Sequence, residues 1–68
     1  MTPQENQLMD RLIAVANAKF DGHLSILKFT TNWRVWFSTP DGRDDIGEMS
    51  EGQMFADAAT AALIRVAQ

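Results

Sequence analysis

Residues 24–38, Leu24-Ser25-Ile26-Leu27-Lys28-Phe29-Thr30-Thr31-Asn32-Trp33-Arg34-Val35-Trp36-Phe37-Ser38, hold both tryptophans and two of the four phenylalanines of the chain. Two short runs rich in Ile, Val, Phe and Trp flank a small polar turn. Those side chains suit a pleated, half-buried surface, and the pattern predicts a β-hairpin against which the remaining elements pack.

The turn decides which side chains meet. A two-residue loop at Thr31-Asn32 would set Phe29 opposite Arg34 and Leu27 opposite Trp36, mixing charged and apolar groups on both faces. Thr-Asn is also not among the glycine-rich pairs that such loops favour. A three-residue loop with Asn32 in the left-handed conformation sets Phe29 opposite Trp33 and Leu27 opposite Val35. One face then carries Leu27, Phe29, Trp33, Val35 and Phe37. The other carries Ile26, Lys28, Thr30, Arg34, Trp36 and Ser38. A slip of one residue exchanges the faces of a strand, so the cleaner segregation is the expected register.

On that reading Trp36 lies on the outer face with Lys28, Arg34 and Ile26 around it, and these four are the candidate binding residues. Tryptophan offers a large contact area and stacks with arginine. Three outcomes stay open: a cover supplied by the chain itself or by a second copy, a partner surface, or another register.

The chain of 68 residues forms one domain. A domain this small buries only about 60% of its unfolded surface, so its core is thin. Natural domains of this size often rely on disulfides, a metal or self-association. Absence of cysteine removes disulfides and thiolate metal sites, and a single histidine, His23, argues against zinc. Self-association remains, which makes a homodimer, or a complex with another protein, the expected partnership. No cofactor is expected.

No apolar run reaches the roughly 18 residues of a membrane span, and no export signal opens the chain, so a cytoplasmic protein is expected. The net charge of −3 disfavours an avid nucleic-acid binder, whose affinity comes from neutralising phosphates. Acidity is concentrated in Asp41, Asp44, Asp45, Glu48 and Glu51, against Arg43 alone. Such a run is either a solvated loop or an attraction for a basic partner. It lacks the alternating ligands and the spacing to glycine and glutamate of an EF-hand loop, so calcium is not expected.

Thr2-Pro3-Gln4-Glu5 predicts a helix start with a capping box. Leu8, Leu12 and Val15, with Met9, Ile13, Ala16 and Phe20, form its apolar stripe, and Gly22 is expected to end it. His23 reads as a boundary residue; no nucleophile or second histidine forms a catalytic set with it, and an enzyme is not expected. Thr39-Pro40-Asp41-Gly42 predicts a turn. Arg43–Met49 is expected as a polar edge strand with Ile46 turned inward. Ser50 is expected to cap a second helix through Gln53, with Met49 stapled onto Met54. The body of that helix places Phe55, Ala59, Ala62 and Val66 on one line, and its alanines favour both helix and close packing.

The predicted class is therefore α+β with the order α-β-β-β-α, a three-stranded antiparallel sheet carrying both helices on one face. That order resembles the double-stranded-RNA-binding domain, and Ala58-Ala59-Thr60-Ala61-Ala62-Leu63 is similar to that family's AAxxAL pattern. The family's KKxAK lysines would hold phosphates. Here the corresponding positions are Glu51, Gly52 and Phe55, so the resemblance does not extend to the binding chemistry. The functional expectation is a small non-enzymatic protein–protein interaction or regulatory module, self-associating around Trp36. The alternative is weak nucleic-acid binding through Trp36, Lys28 and Arg34.

Overall fold

A computed structural model describes residues 1–68. The elements are α1 (Pro3–Lys19), β1 (Ser25–Lys28), β2 (Trp33–Trp36), α2 (Arg43–Glu48), β3 (Ser50–Gly52) and α3 (Phe55–Ala67). The class is α+β: the α-β-β-β-α order holds, with the short α2 inserted between the second and third strands. The sheet is antiparallel with strand order β1-β2-β3.

Helix α1 begins as its residues dictate. Glu5 N–H donates to the Thr2 hydroxyl at 3.1 Å, and Thr2 N–H donates to Glu5 Oε1 at 2.9 Å. Two amides that the helix itself cannot satisfy thereby find partners. The carboxylate's acceptor role, first from the Thr2 backbone and then from its hydroxyl, lowers the Glu5 pKa. At the other end Phe20 caps the helix, and Asp21 (φ 56°) and Gly22 (φ 83°) both turn left-handed to lead the chain into β1.

The hairpin departs from the expected register. Ile26 pairs with Val35, Leu27 with Arg34 and Lys28 with Trp33, across a four-residue loop closed by Phe29 N–H donating to Asn32 C=O at 2.8 Å. Asn32 does not adopt a positive φ, so the longer loop removes the left-handed residue that a three-residue turn requires. Strand β2 keeps its expected faces, with Trp33, Val35 and Phe37 inward and Arg34 and Trp36 outward. Strand β1 is inverted. Leu24 and Ile26 pack against the core, while Leu27 turns outward and Phe29, expected in the core, is 41% exposed at the loop.

The third strand also lies elsewhere. Arg43–Glu48, expected as a strand, is a helix whose first turn carries Asp44 and Asp45 at the end where the dipole favours anions. Ile46 there is half-buried and outside the core cluster. Ser50–Gly52, expected as a helix start, pairs with β2: Val35 with Ser50, Arg34 with Glu51, Trp33 with Gly52. Helix α3 therefore starts at Phe55, with Met54 at its N-cap and no side-chain cap. Met54 is 62% exposed and Met49 is buried, so the expected staple between them does not form.

The core joins Leu12 and Ala16 of α1, Val35 and Phe37 of β2, and Phe55, Ala58, Ala59 and Ala62 of α3. Alanines let α3 lie close on β2 and β3. At Gly52 the approach is so tight that a Cβ would fall 2.6 Å from Asp57 Cβ and into the Ala58 backbone nitrogen. Trp33 meets Phe55 edge to face at 5.7 Å, and Phe20 stacks on Phe37 at 4.9 Å. Such geometries suit the ring quadrupole and add to the area buried.

Candidate functional site

The inverted register divides the four candidate binding residues between two faces. Ile26 packs on the core, and Lys28 sits on the same side with Nζ 5.9 Å from the Trp33 ring centroid. Only Arg34 and Trp36 share the outer face. Parity is the reason: adjacent strand positions point to opposite sides, and β1 is shifted by one relative to the expectation.

Arg34 is tied into the structure. Its Nε donates to Asn32 Oδ1 at 3.0 Å, its Nη1 donates to Ile46 C=O at 3.1 Å, and its Nη2 pairs with the Glu51 carboxylate. A guanidinium presents five donors in a fixed fork, and here the fork links the hairpin loop, α2 and β3. The outer face is thus partly covered by α2. Trp36 remains beside it, half-buried, opposite Ser25 on β1. One step beyond the Val35–Ser50 pair, Met49 is buried yet outside the main core cluster.

Trp36 also borders a cleft of about 500 Å³ at the C-terminal ends of α1 and α3. Phe20, Phe37 and Val66 give it apolar walls, and Ser38 and Arg65 bring polar groups to its rim. Arg65 Nη1 donates to Glu48 C=O, which fastens α3 to the end of α2. Volume and apolar lining are in the range of small-ligand and side-chain pockets. Sequence reasoning missed Phe20, Arg65 and Val66 as neighbours of Trp36. They lie on helices distant in sequence, and only the packing of α3 across β2 brings them together.

The acidic segment forms a separate hollow lined by Asp41, Gly42, Arg43, Asp44 and Asp45. Asp45 is committed there, accepting from Asp41 N–H at 2.8 Å. No three His, Cys, Asp or Glu side chains converge as a metal site would require. His23 is exposed, with Nδ1 3.1 Å from Phe20 C=O. No helix is long and apolar enough to cross a membrane.

Comparison with protein-family models, with curated proteins and with solved structures finds no match.

Proposed function

We propose that this chain is a small non-enzymatic interaction module that self-associates through the side of its sheet turned away from α1 and α3, around Trp36. The observation that carries the reading is the pairing of a large indole with a neutralised surroundings: Trp36 faces out beside an Arg34 whose charge is met by Glu51. A stacking platform for nucleic acid needs free cations along the backbone track. Here Arg34 is engaged and Lys28 lies across the sheet, so the outer face suits protein contact better than phosphate contact.

The thin interior supports the same reading, since only nine of 68 residues are buried and self-association is a common supplement to a small core. Absence of cysteine accords with a cytoplasmic setting. Sedimentation equilibrium of the wild type and of Trp36→Ala tests the proposal. A concentration-dependent dimer that Trp36→Ala weakens at least about tenfold, the cost of losing one well-buried aromatic contact, supports it. A monomer up to millimolar concentration counts decisively against it.

A further inference from the structure

The backbone of the hairpin fixes which peptide groups are left without partners. In an antiparallel ladder, directly opposed residues alternate between pairs that exchange both hydrogen bonds and pairs that exchange none. Phe29 N–H donates to Asn32 C=O, which sets the phase. Counting back by twos, Leu27 and Ser25 direct their peptide groups at β2. Leu24, Ile26 and Lys28 direct theirs away from it.

Strand β1 is an edge, and β2 is its one substantial neighbour among the elements. Its outward groups therefore form a short unpaired row, the template on which another strand docks. The edge carries no proline to block such docking, and its single charge, Lys28, stands at one end.

We infer that β1 pairs antiparallel with β1 of a second copy, about a two-fold axis at Ile26, to give a continuous six-stranded sheet. This rests on the self-association proposed above but places the main join along the β1 edge, with the outer face around Trp36 forming its rim. Only a register centred on a residue keeps both helix layers on one side, because opposed residues must share a face. Centring on Ile26 aligns the whole of residues 24–28 with itself: Ile26 opposes Ile26 of the second copy, and Leu24 opposes Lys28. All three outward positions on each strand are then hydrogen-bonded, and the two Lys28 ammonium groups fall at opposite ends rather than face to face. Centring on Leu27 leaves Leu24 beyond the paired segment.

The same register accounts for Trp36. On the outer face Ser25 lies between Trp36 and Leu27 of the second copy, each step being one strand spacing of about 4.8 Å. Serine is small, so the indole can reach across it to that leucine. An edge of this length buries less surface than a standard stable interface, which places the dimer in the weak, transient class.

Amide hydrogen exchange read by NMR at micromolar and millimolar concentrations, alongside sedimentation, tests the inference. Protection of Leu24, Ile26 and Lys28 amides should rise about tenfold or more with concentration, while Ser25 and Leu27, already bonded to β2, change less. Ile26→Pro removes an outward donor without touching the ladder to β2 and should abolish dimerisation. Should that variant fail to fold by circular dichroism, a synthetic chain N-methylated at Ile26 serves the same purpose. A dimer whose Ile26 and Lys28 amides exchange equally fast at both concentrations overturns the edge pairing but leaves self-association standing. A strict monomer overturns both.

Discussion

Arg34 and Glu51 oppose each other on β2 and β3 and close an ion pair on the side of the sheet away from α1 and α3. Glu51 is more than half exposed, so the charge attraction itself is screened and contributes little. The larger role of Arg34 is to satisfy three acceptors at once, holding the hairpin loop, α2 and β3 in one arrangement.

Arg34→Lys keeps the charge and loses the fork. A single ammonium cannot reach Asn32 Oδ1, Ile46 C=O and Glu51 together, and a loss of about 1–2 kcal/mol is expected. Denaturant unfolding gives the magnitude. Hydrogen exchange should show the loss concentrated in residues 43–48, which Arg34 anchors through Ile46.

Gly52→Ala tests the contact between β3 and α3. The added methyl meets backbone atoms of Asp57 and Ala58, which cannot swing aside as a side chain would. Overpacking of this kind costs about 1–3 kcal/mol, so a marked fall in denaturation midpoint is expected. Alanine at Gly47, where a Cβ meets nothing within 4 Å, should not destabilise the fold and is favoured in a helix.

Leu12 and Ile13 are neighbours with opposite fates, the first fully buried and the second 45% exposed. Leu12→Ala should cost about 2–5 kcal/mol. Against a total stability on the order of 3–10 kcal/mol for a chain this long, that is a large share of the margin, and a marked fall in melting temperature is expected. Ile13→Ser should stay within about 0.5 kcal/mol of wild type. Thermal melts of the two variants separate them directly.

The capping box makes a prediction in acid. Because hydrogen bonds to Thr2 lower the Glu5 pKa in the folded chain, its contribution is fully present above the unfolded carboxylate pKa. It is lost as pH falls through the folded value. Glu5→Gln should therefore lower stability at neutral pH, where the ionised carboxylate contributes, and converge on wild type in acid, flattening the pH dependence across the carboxylate range. Thr2→Ala removes the cap at every pH and should lower stability by about 1 kcal/mol.

Much of this fold can be read from residue patterns. Thr2 and Glu5 announce α1, the alternation of Trp33, Val35 and Phe37 with Arg34 and Trp36 sets the faces of β2, and the alanines of α3 foretell its close packing. Strand β1 resists such reading because Ile26 and Leu27 are adjacent and both apolar. Either can face the core, so alternation does not choose, and the loop length does. The third strand resists for a different reason. Ser50-Glu51-Gly52 looks like a helix start locally, and only the close approach of α3 at Gly52 and the free ladder groups of β2 make it a strand. The outward placement of Trp36 was legible; the loss of Lys28 and Ile26 from its face was not, because it follows from that unresolved parity.

The register of the hairpin underlies both the outer face around Trp36 and the unpaired edge, and cross-strand Hα–Hα nuclear Overhauser effects measure it. In the non-hydrogen-bonded pairs of an antiparallel ladder the Cα atoms approach to about 4.5 Å and the α protons face each other. Strong effects between Ile26 and Val35 and between Lys28 and Trp33 are predicted. A strong effect between Leu27 and Val35 in their place would contradict the register, and with it the separation of Lys28 from Trp36 and the outward row at Leu24, Ile26 and Lys28.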